Sequence, residues 1–153
     1  VLVNQGGALP GAAAFLEAIE RAGKTYLLLS NDASRSLDTT FARYTRFGLP
    51  VRRDRILTSG MLLVDHFKAR GLEGARCQVL GSRDSEAYVR DAGGVVCAPG
   101  DESASVCVAA DDDGFPFLET VGAVVTALLR RLDRGEPVTL ILPNPDLVFP
   151  RAD

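Results

Sequence analysis

The stretch Lys24-Thr25-Tyr26-Leu27-Leu28-Leu29-Ser30-Asn31-Asp32-Ala33-Ser34-Arg35-Ser36 decides the fold, because an apolar run stops abruptly at a hydroxyl and polar side chains. The apolar part predicts a buried strand of a parallel sheet that is covered on both faces. Ligands bind at the carboxyl ends of such strands. We therefore expect Ser30 and the backbone N–H groups after it to hold an anion, with a phosphoryl group as the leading candidate.

Helices are predicted on both sides of this strand. Residues 10–23 carry apolar side chains at helical spacing, with a proline near the start and a glycine at the end. Residues 37–47 predict a second helix, for which Ser36 is the expected N-cap and Gly48 the end. The order helix, strand, helix predicts an α/β fold.

The second half of the chain continues this alternation. A short strand at 55–58 is followed by a predicted helix over 61–70 with Ser59 as its cap. A domain change is expected near residues 71–74. A separate α/β module is predicted beyond it, with strands at 77–80, 95–98, 105–110 and 138–142 and helices at 84–92 and 117–134.

Composition narrows the class of protein. The chain has 153 residues, 46% of them hydrophobic, and a net charge of −3, which gives no basic surface for nucleic acid. No apolar run reaches the roughly 18 residues that a membrane span needs. Three cysteines without close spacing, Cys77, Cys97 and Cys107, predict buried free thiols in a reducing cytoplasm.

Five short motifs, in this order along the chain, carry a resemblance to a known family. They are Leu9-Pro10-Gly11-Ala12, Leu29-Ser30-Asn31 with Ser34-Arg35-Ser36, Leu57-Thr58-Ser59, Val79-Leu80-Gly81 and Asn144-Pro145-Asp146. The chain resembles the haloacid dehalogenase-like (HAD) phosphatases of class IIA, the branch of NagD and 4-nitrophenylphosphatase. The resemblance implies a Rossmann-like parallel-sheet core, partial in this chain, with an inserted α/β cap domain of the C2 type. The core would comprise residues 1–72, the cap residues 73–150, and residues 151–153 would begin the return to the core.

The resemblance also implies an activity, the hydrolysis of a small organic phosphate ester through an aspartyl-phosphate intermediate. The family's Asp-x-Asp-Gly nucleophile motif would stand just before Val1, and its later lysine and acidic metal motif would fall beyond Asp153. The catalytic aspartates and the Mg²⁺ ligands are thus expected outside this chain, which would be an inner fragment without activity of its own. The alternative is a non-catalytic HAD-like binding or interaction module that lacks the nucleophile. The expected location is the cytoplasm and the expected partner a small phosphate ester, with a homodimer as a further option.

Candidate site residues fall into two groups. The resemblance implies that Ser30, Asn31 and Arg35 bind the phosphate. It assigns substrate specificity to residues of the cap, which are Asp113, Phe115, Asn144 and Asp146. Asp32 departs from the pattern, because an amide is usual there, and a carboxylate would repel phosphate unless it points away or is paired.

Two of these segments also have simpler interpretations. The triplet Asp111-Asp112-Asp113 before Gly114 imitates the nucleophile motif, but it stands too late in the chain. A solvated acidic turn before a helix is favoured over a metal site, and a substrate-facing loop with Phe115 and Phe117 is a third interpretation. Asn144-Pro145-Asp146 fits an ordinary turn as well as a hinge or rim of the cap.

Overall fold

The structure is a computed structural model that describes residues 2–4 and 6–146. The helices are α1 (Ala12–Arg21), α2 (Leu37–Arg46), α3 (Leu63–Arg70), α4 (Arg83–Asp91) and α5 (Phe117–Asp133). The strands are β1 (Val3–Asn4), β2 (Gly7–Ala8), β3 (Leu28–Ser30), β4 (Ile56–Thr58), β5 (Arg76–Leu80), β6 (Val95–Val96), β7 (Val106–Ala109) and β8 (Thr139–Ile141). Within the described ranges, no helix combines the length and the apolar character that crossing a bilayer requires.

The described residues form two compact units. The first contains the chain up to Ser30, Leu37–Leu57 and the described residues from Pro145 onward. The second contains Asn31–Ser36 and Thr58–Asn144. The core and cap boundaries given above stay a prediction, since these units are groupings by contact within this chain alone.

The first unit has a small apolar core between α1, α2 and the strands β3 and β4. Its buried members include Leu16 of α1, Tyr44 of α2 and Ile56 of β4. The two strands pair with each other, and β1 pairs with β2 as an antiparallel hairpin. The predicted end of α2 is confirmed, because Gly48 follows it with a φ of 73°, a conformation that favours glycine.

Within this chain, the strand predicted in the 24–36 stretch is short and is covered on one face only. It is β3, Leu28–Ser30. Leu28 packs against the core of the first unit, whereas Leu27 is 59% and Leu29 74% exposed. Successive side chains of a strand point to opposite faces, and in the described structure only the face carrying Leu28 is covered.

The second unit is built on a parallel sheet with the strand order β6-β5-β7-β8. The register places Cys77 of β5 opposite Val106 of β7, and Val106 opposite Thr139 of β8. Phe67 of α3 and Val89 of α4 are fully buried against this sheet. The predicted α/β class with a parallel sheet is confirmed, and the alternation predicted for residues 77–142 matches the observed elements.

The start of α3 corrects one prediction. Ser59 was expected to cap the helix, but a 3-10 turn, Ser59–Leu62, comes first and α3 begins at Leu63. Leu62 is the N-cap and makes no side-chain capping bond. Among the described residues, the buried Ser59 hydroxyl has no hydrogen-bond partner. The tighter turn places Ser59 a full turn away from the N–H groups that it was expected to cap.

The cysteines are free thiols. Cys77 and Cys107 are buried, as predicted, whereas Cys97 is only partly buried. Burial raises the pKa of Cys77 and Cys107 to about 11. Both side chains are therefore protonated at neutral pH, as expected for inert structural cysteines.

Candidate functional site

Residues 31–36, here called the polar loop, follow directly on Ser30 at the carboxyl end of β3. Asp32 organises this loop. Its Oδ1 accepts hydrogen bonds from the backbone N–H and the hydroxyl of Ser34, both at 2.8 Å, and from the backbone N–H of Arg35 at 3.2 Å. Aspartate commonly bonds the backbone two residues on in this way and so stabilises a turn.

The Asp32 carboxylate is also paired. Its Oδ2 lies 2.7 Å from Nη1 of Arg35, and the Asp32 side chain is only 16% exposed. The charge that was expected to repel a phosphate is thus balanced within the loop. Arg35 is 43% exposed and would share its guanidinium between Asp32 and any bound anion.

The carbonyl side of the polar loop is held by hydroxyl groups from α4 and its N-cap. Three successive carbonyls each accept one bond, Ala33 from Ser85 at 2.9 Å, Ser34 from Ser82, and Arg35 from Tyr88 at 2.8 Å. In addition, the Ser36 N–H donates to Asp84 at 2.8 Å. Four consecutive residues of the loop are thus bonded to one helix end.

The sequence around Ser82 explains why α4 begins here. Ser82 accepts a hydrogen bond from the Ser85 N–H and donates its own N–H to the Ser85 hydroxyl, which is a capping box. A Cβ on Gly81 would lie 2.6 Å from the Ser85 hydroxyl. The glycine at the end of β5 therefore lets the chain turn tightly into this cap.

The predicted substrate loop, residues 111–117, lies beside the same cap. Gly114 has a φ of 87°, and a Cβ there would come within 3.3 Å of Ser82. Asp113 is exposed, and its carboxylate accepts a hydrogen bond from the Gly114 N–H at 2.7 Å. The Phe115 and Phe117 rings are 5.8 Å apart and tilted by 34°. The loop thus presents aromatic and acidic groups next to the helix end that holds the polar loop.

Two predicted site residues from distant parts of the chain meet. Nδ2 of Asn31 donates to Oδ1 of Asn144 at 3.4 Å, across 113 positions of sequence. Asn144 follows β8, and Asp146 is exposed two residues later. Ser30 is half-buried and belongs to the first unit, so its role stays a prediction.

The second unit therefore gathers its polar residues at one edge of its sheet. Ser82 follows β5, the 111–117 loop follows β7 and Asn144 follows β8. The carboxyl edge of an open parallel sheet is where such folds bind ligands. In residues 2–4 and 6–146, no three His, Cys, Asp or Glu side chains are grouped so that they could hold a metal ion.

Sequence reasoning missed the residues that hold the polar loop. Ser82 and Ser85 have the spacing of a capping box, but Ser85 stands where the usual pattern has Glu or Gln, so the sequence signal is weak. Tyr88 carried no such signal, because an aromatic residue on an amphipathic helix is usually a core residue. Its hydroxyl contacts become visible only in the folded chain.

The chain is similar to known phosphatases. A sequence model of the haloacid dehalogenase-like hydrolases matches residues 1–94, while no curated protein matches significantly. A p-nitrophenyl phosphatase from Archaeoglobus fulgidus is 25% identical with a TM-score of 0.73, the match covering 98% of this chain and 54% of that one. A possible sugar phosphatase of the HAD superfamily from Cytophaga hutchinsonii is 25% identical with a TM-score of 0.80. That match covers 98% of this chain and 53% of the other. A glycerol phosphate phosphatase from Mycobacterium tuberculosis in complex with magnesium is 18% identical with a TM-score of 0.73. That match covers 98% of this chain and 43% of the other, and it shows the shared fold alone.

These matches confirm the resemblance drawn from the sequence motifs. Proteins named NagD and p-nitrophenyl phosphatase recur among the matched structures. The predicted HAD-type fold, with a Rossmann-like core and a cap, is confirmed by the same structures. The chain spans about half the length of the first structures that it matches.

Proposed function

The chain belongs to the haloacid dehalogenase-like hydrolases, and we propose that the complete protein is a phosphatase acting on a small organic phosphate ester. The observation that carries this proposal is the polar loop. It follows the Ser30 strand end and is fixed by Asp32 on one side and by α4 on the other. A loop fixed in this way would hold Asn31 and Arg35, the predicted phosphate ligands, in place without rearrangement, and groups positioned in advance are what stabilise charge in a phosphoryl-transfer transition state.

The proposed chemistry has two steps. An aspartate outside this chain would attack phosphorus and form an aspartyl-phosphate, while the bond to the ester oxygen breaks and that oxygen takes a proton from the second aspartate of the same expected motif. Water would then give a proton back to that second aspartate and attack the same phosphorus, which releases inorganic phosphate and restores the first carboxylate. The Ser30 hydroxyl and the Asn31 backbone N–H would donate to the non-bridging oxygens of the transferring phosphoryl group in both steps.

Magnesium is part of the proposal for the complete protein. A phosphatase of this fold has been solved in complex with magnesium. The described residues of this chain include no cluster of acidic side chains that fits the ion, so its ligands would come from other residues. A cytoplasmic location is part of the proposal and is supported by the three free thiols, which a reducing compartment maintains.

One observation favours a second candidate, a non-catalytic HAD-like binding module. The Asp32 carboxylate already occupies the N–H groups of Ser34 and Arg35 and the Arg35 guanidinium. An anion would compete with this internal carboxylate for those donors. If the complete protein lacks the nucleophile, the same loop could bind a phosphate ester without cleaving it.

Turnover of p-nitrophenyl phosphate with and without Mg²⁺ tests the proposal in the complete protein. Ser30→Ala should lower kcat/KM by about 10²- to 10³-fold, because one donor aimed at the developing charge is lost. Ser103→Ala is the matched control and should leave the rate unchanged, because the Ser103 hydroxyl bonds to Arg76 and Asp101 and to no residue of the polar loop. The 153-residue chain alone should show no turnover. An active isolated chain or a fully active Ser30→Ala enzyme would contradict the assignment, and binding without turnover would favour the second candidate.

A further inference from the structure

The Tyr88 hydroxyl connects two segments that the sequence motifs single out separately. It lies 2.8 Å from the Arg35 carbonyl oxygen and 2.8 Å from the Thr58 hydroxyl. The Tyr88 side chain is 7% exposed, so water contributes little to these contacts. Polar groups buried to this degree depend on their hydrogen-bond partners.

The direction of both hydrogen bonds follows from the chemistry of the groups. A carbonyl oxygen can only accept, so the Tyr88 O–H must donate to Arg35. Its single proton is then used, and the Thr58 hydroxyl must donate to Tyr88. The chain of donors therefore runs from Thr58, at the end of β4, through Tyr88 to the polar loop.

The Tyr88 ring is fixed as firmly as its hydroxyl. A Cβ built on Gly60 would lie 2.4 Å from the ring carbons, which means that the ring occupies the space left by the missing side chain. Neighbouring Tyr88 on α4, Val89 is fully buried in the core of the second unit. A ring packed against backbone on one side and held by a core helix has one position available, so the hydroxyl has one position too.

We propose that Tyr88 is a positioning residue for phosphate binding, and that with Ser85 it sets the shape of the polar loop from outside the loop. Tyr88 holds the Arg35 carbonyl, and Ser85 holds the Ala33 carbonyl at 2.9 Å. The N–H groups of these two peptide units already donate to Asp32 and Asp84. The two units lie on either side of the Ser34–Arg35 segment, so fixing them fixes the backbone from which the Arg35 side chain extends, since each peptide unit is planar. The inference rests on the proposed function, because it concerns how the loop presents the Arg35 guanidinium to the phosphoryl group.

Tyr88→Phe in the complete protein is the direct test, since it removes only the hydroxyl. We expect kcat/KM for p-nitrophenyl phosphate to fall about tenfold, and the inhibition constant for inorganic phosphate to rise by a similar factor, because the loop loses its fixed geometry. Tyr26→Phe is the matched control. The Tyr26 hydroxyl makes a 3.4 Å bond to Glu20 in the first unit, and its loss should change neither constant.

Thr58→Val separates positioning from general stability. It removes the other hydrogen bond of the same Tyr88 hydroxyl but leaves the bond to Arg35, so thermal stability should fall as in Tyr88→Phe while phosphate inhibition stays near wild type. If Tyr88→Phe does not fold, Ser85→Ala takes its place and should also weaken phosphate inhibition. If inhibition by phosphate weakens equally in Thr58→Val, the inference is overturned. An unchanged inhibition constant in the folded Tyr88→Phe or Ser85→Ala enzyme overturns it as well.

The failure of this inference can be told apart from the failure of the proposed function. A wild-type protein that neither cleaves phosphate esters nor binds phosphate refutes both. An active wild type with an unaffected Tyr88→Phe variant refutes the inference alone.

Discussion

Nη1 of Arg35 lies 2.7 Å from Oδ2 of Asp32, and this ion pair closes the polar loop on itself. The same carboxylate receives the backbone N–H groups of Ser34 and Arg35. Asp32 therefore has a structural task in this chain. It stabilises the turn from the inside, at the cost of engaging donors that an anion could use.

Substituting Asp32 should separate these two effects. Asp32→Ala removes the acceptor for two backbone N–H groups and should lower the free energy of unfolding by about 1–3 kcal/mol. Asp32→Asn keeps an oxygen at the same place, loses only the charge, and should cost less than about 1 kcal/mol. Urea denaturation of both variants measures the difference, and equal losses would show that the charge rather than the turn matters.

The same pair predicts an effect on binding. If Arg35 is a phosphate ligand, Asp32→Asn releases its guanidinium from the ion pair and should strengthen inhibition of the complete enzyme by inorganic phosphate. Arg35→Lys, which keeps the charge without the planar fork, should weaken inhibition. Unchanged inhibition in both variants would remove Arg35 from the list of phosphate-binding residues.

Gly60 should tolerate no side chain. Gly60→Ala places a Cβ at 2.4 Å from the Tyr88 ring, and relieving this clash should destabilise the fold by about 1–3 kcal/mol. Gly122→Ala is the matched control, because Gly122 lies within α5 and a Cβ there meets open space. That exchange should stabilise the protein by about 0.5–1 kcal/mol through helix propensity. Melting temperatures that shift in the same direction for both variants would contradict the packing of Tyr88.

Substrate preference should change when the 111–117 loop is altered in the complete enzyme. Phe115→Ala and Asp113→Asn remove an aromatic surface and a carboxylate that could contact an organic leaving group. Each should reorder a panel of phosphate esters by kcat/KM while sparing a small featureless ester. Phe15→Ala, at an exposed phenylalanine of α1, is the control. Equal losses of kcat/KM on every ester would indicate damaged folding. Unchanged kcat/KM on all of them would indicate that the loop is a solvated turn.

The ion pair between Asp101 and Arg76 should weaken as the pH falls from 3.8 toward 2. Hydrogen bonds from Ser103 and Arg76 hold the pKa of Asp101 at about 2, below its usual 3.8. A lowered pKa in the folded state contributes stability above pH 3.8, and this contribution is lost as the pH falls toward 2. Asp101→Asn should therefore be less stable than wild type at pH 6, and the difference should shrink below pH 4. A difference in denaturation midpoint that is constant down to pH 3 would contradict this coupling.

The elements of the fold were readable from the sequence to a large extent. Helices at 84–92 and 117–134 were predicted from periodicity and match α4 and α5 within one residue. Gly48 was predicted as a helix end and has the positive φ that such an end requires, and Gly71 ends α3 with a positive φ as well. The start of α3 was not readable, because a 3-10 turn and an α-helix satisfy the same apolar spacing over a few residues.

The candidate site was readable only in part. Ser30 stood out because it ends an apolar run, which is a local signal, whereas Asn31 and Arg35 were named by the family resemblance. The contact between Asn31 and Asn144 joins residues 113 positions apart, and no local pattern encodes it. The pairing of Asp32 with Arg35 lies within reach of local reasoning, since aspartate at the start of a loop is a known turn former.

The sequence by itself determined the order of strands and helices, the α/β class and the family, because these depend on apolar periodicity, on glycine and proline at element ends, and on short motifs. Only the tertiary structure decided that Tyr88 and Ser85 hold the polar loop, and that Asn31 meets Asn144. The physical reason is that a hydrogen bond or a buried face depends on which elements come together in space. Backbone propensity acts over a few residues, whereas the Tyr88 hydroxyl reaches Arg35 only after β4, β5 and α4 have packed.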